Sequence, residues 1–149
     1  MSEHEKFAWA SLVASAAVWA FFGMRLTDGG QIVEVGVRHL VWTYVATVVL
    51  MAATHSMIAA FLARKPRGIA FKDERDHAIA ARADRVEGYV VMIVVNVLVI
   101  HALADAAFAG HALPRFDLSS LPTLVFALIT TLFAGHIVKQ VATIWMYRA

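Results

Sequence analysis

The sequence predicts an all-α protein, a four-helix transmembrane bundle built as two hairpins, with the third helix extended into the cytoplasm. Of the 149 residues, 60% are hydrophobic, and the mean hydropathy of +0.68 is too high for an ordinary soluble domain. The hydrophobic residues form four blocks, each close to the roughly 20 residues that a spanning helix needs. Charged or turn-forming segments separate them. We expect one integral membrane domain with spans at about 7–26, 38–63, 88–109 and 121–147 and a cytoplasmic linker at 64–87.

The first span begins at Phe7 and ends near Arg25. The residues before it, 2–6, carry no net positive charge, and the apolar run exceeds the usual core of a signal peptide. The run is therefore interpreted as a retained span. A turn signal follows at 27–30, and Pro66 with its neighbours ends the second span.

The third helix starts in a charged segment and continues into an apolar one. Acidic residues stand where a helix N-terminus favours negative charge: Asp73, Glu74 and Asp76. Apolar residues recur at spacings of three and four and so share one face: Ile79, Ala83, Val86 and Val90. We expect one continuous helix that enters apolar sequence at Gly88, after about 22 Å of charged helix.

The fourth span follows a loop with two prolines, and Ser119 or Ser120 is its expected N-cap. Its end carries residues typical of a membrane interface: Trp145, Tyr147 and Arg148. Seven Lys and Arg residues lie between Arg64 and Glu87, against three on the opposite side. This excess predicts that the linker and both termini are cytoplasmic.

Two segments of the sequence carry a recognisable pattern: Asp73-Glu-Arg-Asp76, Ile79, Arg82-Ala-Asp-Arg85 and Tyr89 in the third helix, and the ending Gln140…Tyr147-Arg148. In these residues the chain resembles a family of small bacterial integral membrane proteins of unknown function. The resemblance implies a four-span plan and a location in a bacterial inner (plasma) membrane. Members are often found beside helix-turn-helix regulators, which implies a regulatory setting. The family has no established catalytic residues, so none is assigned here.

Polar residues inside apolar spans are costly and mark candidate sites. The inner set is His55, Asn96, His136 and Gln140. The first three lie nine to eleven residues from their predicted cytoplasmic boundaries, and so at similar depth. Two imidazoles at one depth could ligate a b-type haem. The alternative is structural, with hydrogen bonds between helices that include Asn96 and Thr54.

An outer set of polar residues contains His101 and Asp105, which are four apart and share a helix face. That spacing suits a divalent metal, with His39 or His111 as a further ligand. The alternative is an ion-pair cluster at the interface with nearby arginines: Arg25, Arg38 and Arg115. We expect the ion-pair cluster, because three cations compete with a metal, and no metal is assigned.

The charged start of the third helix is the predicted partner-binding surface: Asp73, Glu74, Arg75, Asp76, Arg82, Asp84 and Arg85. A mixed acidic and basic face is more specific than a purely basic anchor needs. The alternative is a solvated face that contacts lipid phosphates or a helix that only braces the bundle.

The predicted function is therefore that of a non-enzymatic regulator, sensor or accessory protein. Its expected partners are the bilayer and either a cytoplasmic protein or a second copy. A haem or other redox protein using His55 and His136 is the alternative, and a small multidrug-type transporter ranks third because the first span has no carboxylate. The absence of Cys excludes thiol chemistry, and no nucleophile–base pair indicates an enzyme. No cofactor is expected unless haem binds, and a formal net charge of +2 is too small to indicate nucleic-acid binding.

Overall fold

The chain folds into four long helices. The computed structural model describes residues 3–63, 73–107 and 117–149, and the side chains at 4–62, 73–104 and 117–149. The helices are α1 (Glu3–Leu26), α2 (Val37–Ala63), α3 (Glu74–Ala107) and α4 (Leu121–Arg148). This confirms the predicted all-α class. Each helix is long and apolar enough to cross a membrane, which indicates a multi-pass membrane protein.

A tight hairpin connects α1 to α2. Strand β1 (Thr27–Asp28) pairs antiparallel with β2 (Gln31–Ile32), and the two residues between them are Gly29 and Gly30. Their φ angles are +56° and +82°, a left-handed conformation that glycine adopts without steric cost. The predicted turn is therefore confirmed, and it brings α2 back alongside α1.

The helices pack as an open row in the order α2, α1, α4, α3. α1 packs against both α2 and α4, and α4 packs against α3, whereas α2 and α3 barely touch over the described residues. The core lies where α1, α2 and α4 meet, and its buried side chains are Val18, Phe22, Leu26, Leu40, Ile129 and Phe133. Phe22 also stacks on Phe126, with ring centroids 5.8 Å apart. A gap remains between α2 and α3, with α4 beneath it.

Side chains cap the starts of α3 and α4. The Asp76 N–H donates to Asp73 Oδ1 at 2.7 Å, and the Asp73 N–H donates to Asp76 Oδ2 at 3.3 Å, a reciprocal capping arrangement. Ser120 is the N-cap of α4, as one of the two predicted alternatives. Its hydroxyl donates to Glu34 Oε1 at 2.5 Å, which ties the start of α4 to the α1–α2 connection.

The segment before α4 is also ordered by an aspartate. Asp117 Oδ1 accepts from the Ser119 hydroxyl at 2.5 Å and from the Ser119 N–H at 3.0 Å. These hydrogen bonds to the ionised carboxylate hold the pKa of Asp117 below its usual value. The chain therefore enters α4 through a defined turn.

α3 is continuous over its 34 residues, as predicted, with no break between Asp76 and Arg85. Its first turn lies level with the ends of two other helices. The Tyr147 hydroxyl of α4 donates to Asp76 Oδ1 at 2.6 Å, and His4 Nε2 of α1 lies 3.6 Å from Asp76 Oδ2. The charged start of α3 is therefore held against the bundle over its first turn.

Candidate functional site

A polar cluster joins α2 to α4. The rings of His55 and His136 meet edge to face, with centroids 5.3 Å apart. His55 Nδ1 lies 3.0 Å from the Met51 carbonyl oxygen, so its proton points along its own helix. His136 Nε2 lies 3.2 Å from Gln140 Nε2, one turn further along α4. Three of the four residues predicted for the inner set therefore lie together.

His55 has one unused polar atom. Its Nε2 is buried and has no hydrogen-bond partner among the described residues. With Nδ1 as the donor to Met51, Nε2 is an acceptor. A buried acceptor without a partner is costly, so this atom is suited to receive a hydrogen bond from a bound molecule.

An ion-pair network extends the cluster to α3. Lys139 Nζ of α4 lies 2.6 Å from Asp84 Oδ1 and 3.0 Å from Glu87 Oε2. The other Glu87 oxygen, Oε1, lies 3.7 Å from His136 Nδ1. Two carboxylates against one ammonium leave one negative charge when the histidines are neutral. The network therefore has room for one more proton or for a cationic group.

The cluster closes one end of a cavity of about 560 Å³ between α2 and α3. α4 forms its floor. The lining is mainly aliphatic and aromatic, and it comprises Tyr44, Thr47, Val48, Met51, Ala52, His55, Glu87, Val91, Ile129, Leu132, Phe133 and His136. A largely apolar cavity with a few polar groups at one end is typical of a site for an amphiphilic molecule. We call it the α2–α3 groove.

The geometry does not fit a haem held by both histidines. A haem iron with two axial imidazoles needs the macrocycle between the rings, but the rings of His55 and His136 touch. α3 and α4 also approach too closely beside His136 to admit a macrocycle there. Even a Cβ added at Gly135 would lie only 2.6 Å from Val91 Cγ2 of α3. No group of three or more potential metal ligands occurs in the ranges that the structure describes.

Asn96 lies apart from this cluster. Its side chain is exposed, and Nδ2 donates to the Met92 carbonyl of its own helix at 2.8 Å. Thr54 likewise donates along α2, to Leu50 O at 2.9 Å. Within the described parts of the chain, the expected hydrogen bonds between helices therefore do not form from these two residues.

The outer set is only partly visible. His101 is half-buried, and Arg38 and His39 are exposed at the start of α2. Arg25 lies over the ring of Phe21, 5.5 Å from its centroid. The side chain of Asp105 and the whole of His111 and Arg115 lie outside the described residues, so the expected ion-pair cluster and the metal alternative stay predictions.

The seven residues of the predicted partner-binding surface separate into two groups. Three of them have internal roles, since Asp73 and Asp76 form the cap and Asp84 pairs with Lys139. The other four have exposed side chains: Glu74, Arg75, Arg82 and Arg85. Asp73 and Asp84 are exposed as well, but their carboxylates are already engaged within the chain. The second group carries the charges that we assign to a partner. We call it the charged outer face.

Two residues of the site were not among the predicted ones: Glu87 and Lys139. The sequence did contain a signal for both of them. Lys139 is the single Lys or Arg between Leu121 and Tyr147, and Glu87 is the last acidic residue before an apolar block. A cation inside a span needs a carboxylate at its own depth, and that requirement pairs the two.

No family model, no curated protein and no solved structure matches the chain. The resemblance to the small bacterial membrane proteins stays a prediction.

Proposed function

We propose that this chain is a non-enzymatic regulator or accessory protein of the bacterial inner membrane, which acts through the charged outer face of α3. The observation that carries the proposal is the division of the α3 charges. Asp76, Asp84 and Glu87 are held by α1 and α4, whereas four further charged side chains are exposed. A helix that only braced the bundle has no need of this second set.

The charge of this face indicates the chemistry of the partner. Three Arg against one Glu give the charged outer face a net charge of +2. The helix that carries it is fixed by Tyr147 and Lys139 of α4, so it loses little conformational entropy when it binds. Charge complementarity then mainly sets specificity. We propose an acidic segment of a cytoplasmic protein as the partner.

The four side chains of the charged outer face lie at different distances from the apolar block that begins at Gly88, and this distance indicates their roles. Arg85 and Arg82 precede Gly88 by three and six residues, about 5 and 9 Å along the helix. At that distance from the apolar block, arginine side chains reach lipid phosphates. Arg75 lies 13 residues from Gly88, about 20 Å. Arg75 therefore contacts the acidic partner beyond the reach of lipid, with Glu74 beside it contributing to specificity. Arg82 and Arg85 add the excess positive charge at the membrane surface.

The proposal includes the orientation of the chain. The excess of Lys and Arg at 64–87 supports a cytoplasmic location for the start of α3 and for both termini. Reporter fusions test this: residues 30 and 113 are expected on the periplasmic side and residue 70 on the cytoplasmic side. A cytoplasmic signal at residue 30 contradicts this orientation.

Charge reversal tests the docking surface. A photoreactive amino acid at position 78, one turn from Glu74, is expected to cross-link an acidic cytoplasmic protein in cells. The double substitution Glu74→Lys and Arg75→Glu is expected to abolish that cross-link at normal abundance. Arg38→Glu, on an exposed residue at the other end of the bundle, is the matched control and is expected to change nothing.

The same experiment separates the alternatives. Cross-links to lipid alone, unchanged by the double substitution, show that the charges are a solvated face or a lipid anchor. A partner whose cross-link survives the charge reversal contradicts a charge-directed docking site.

The α2–α3 groove supports a second candidate function, the binding of an amphiphile whose polar head donates a hydrogen bond or carries a positive charge. The buried, unused His55 Nε2 and the negative charge around Glu87 favour such a head. Ala52 lines the groove and Ala53 does not. Ala52→Phe is therefore expected to reduce a co-purifying amphiphile, detected by mass spectrometry, whereas Ala53→Phe leaves it. A Soret band in the purified protein instead supports the haem alternative, with His55 and His136 moved apart.

A further inference from the structure

The outer face of α3 carries a heptad pattern through the apolar part of the helix. Exposed side chains alternate at spacings of three and four residues: Tyr89, Met92, Asn96, Val99 and Leu103. Their apolar members are 52–65% exposed. This is the seam of a left-handed two-helix coiled coil, yet no described residue of the chain packs against it. We call it the α3 seam.

Asn96 is the one amide in the α3 seam. One hydrogen of its Nδ2 goes to the Met92 carbonyl. The second hydrogen and the Oδ1 oxygen have no partner among the described residues. Lipid chains supply neither donors nor acceptors, so an amide exposed to them remains unsatisfied. An amide on a helix face inside a membrane favours a partner helix that can bond it.

We infer that the α3 seam pairs with the same seam of a second copy, with Asn96 bonded to Asn96 of the second copy. Two copies inserted in the same orientation present α3 in parallel. A two-fold axis along the membrane normal then brings equal residues together at equal depth. A carboxamide is self-complementary, because its N–H donates to the oxygen of the other while its own oxygen accepts. A single Asn at this heptad position sets register and the two-stranded state.

Other features of α3 favour a second copy of the chain as the partner of the α3 seam. The opposite face of α3 is already occupied by α4, through Val91 against Gly135. On the seam side Gly88 has no side chain, and nothing lies within 4 Å of where its Cβ would be. Arg82 and Arg85 continue the heptad spacing toward the cytoplasm, where like charges keep the helices apart. The contact is therefore confined to residues 89–103, about 21 Å of helix.

The inference goes beyond the proposed function and does not depend on it. Pairing places the charged outer faces of two copies side by side and so doubles the net positive charge offered to an acidic partner. The pairing itself involves only the apolar part of α3, so either proposal can fail while the other holds.

Disulfide cross-linking tests the pairing directly. The chain has no Cys, so each introduced thiol reports on one position. In native membranes, Met92→Cys, Val99→Cys and Leu103→Cys are expected to form disulfide-linked dimers. Val97→Cys is the control, since Val97 is equally exposed at 57% but lies off the seam. Absence of dimers at all four positions, or dimers at Val97→Cys as strong as at Met92→Cys, overturns the inference.

A second experiment tests the role of the amide. Energy transfer between labelled copies in vesicles measures association. Asn96→Leu is expected to weaken it on the order of ten-fold, the effect of losing hydrogen bonds between helices. Asn96→Gln, which keeps the amide, is expected to retain part of the affinity, and the control Val97→Leu all of it. Association of Asn96→Leu equal to that of the unmodified protein overturns the assignment of Asn96.

Discussion

The two sides of α3 differ in how they meet their neighbours. Toward α4, Val91 fits against Gly135, Lys139 pairs with Asp84 and Glu87, and Tyr147 bonds Asp76. Toward α2, the described residues that line the groove of about 560 Å³ form no such contact. Both sides are rich in apolar residues, so apolar character does not explain the difference.

The difference between the two sides of α3 follows from the apolar solvent that a bilayer provides. In a bilayer, apolar side chains gain little by leaving lipid for another helix, so close backbone approach and polar contacts decide which helices associate. The contact between α3 and α4 has both, namely a glycine and three ion-pairing side chains. On the α2–α3 side, the described groove residues form neither, since His55 of α2 and Glu87 of α3 both line the groove but meet through His136 of α4 and not each other. Three substitutions test this comparison.

Gly135→Ala is expected to have the largest effect. The added methyl group would lie 2.6 Å from Val91 Cγ2, so α3 or the Val91 side chain must move. Overpacking of this kind costs about 1–3 kcal/mol. We expect a lower free energy of unfolding in detergent, and the additional substitution Val91→Ala is expected to restore part of it.

The matched control for Gly135→Ala is Gly88→Ala. Nothing lies within 4 Å of a Cβ at Gly88, and alanine stabilises a helix by up to about 1 kcal/mol over glycine. Stability should therefore stay equal or rise. If both substitutions have the same effect, close approach at Gly135 does not hold α3 to α4.

Lys139→Met is expected to have the second-largest effect on stability. It leaves Asp84 and Glu87 without their cation. The side chains of Glu87 and Lys139 are 28% and 30% exposed, so we expect a loss of about 1–2 kcal/mol, below the cost of breaking a fully buried pair.

Chemical denaturation measures that loss. The double variant Lys139→Met with Glu87→Gln is expected to lose less than Lys139→Met alone, since it removes one uncompensated charge. An equal or larger loss in the double variant means that the pair contributes through packing and not through charge.

Tyr147→Phe is expected to have the smallest effect. It removes the 2.6 Å hydrogen bond to Asp76 and keeps the ring, so the loss should be about 1 kcal/mol. Tyr44→Phe, in the groove, is the control, because no hydrogen bond joins the Tyr44 hydroxyl to a described residue. Equal thermal stability of the two variants contradicts a role of Tyr147 in holding the start of α3.

Much of the fold was predictable because it depends on local sequence. Apolar block length predicted four helices, Gly29-Gly30 predicted the hairpin, and Ser120 was one of two predicted caps. The open order of the helices was not predictable. It depends on Gly135 meeting Val91 across two helices, and no local pattern carries that information.

The candidate site was predicted from the depth of its polar residues in the membrane, which does not include the direction of their side chains. His55, Asn96 and His136 were placed at one depth from their distances to span boundaries, but depth does not fix the direction in which a side chain points. The helical repeat could have supplied the direction of the Asn96 side chain. Asn96 lies 13 residues beyond the buried Ala83, and at about 100° per residue that is about 220° around the helix. The amide therefore points away from the face that packs on α4.

The central position of α4 affects how the protein is made. α4 packs against both α1 and α3, yet it leaves the ribosome after both of them. Until α4 enters the membrane, the described part of α3 has no neighbour that packs closely, and Asp84 and Glu87 lack the ammonium of Lys139. The nascent chain therefore passes through a stage in which α3 is poorly retained, and the packing of α3 is completed only when α4 has been made.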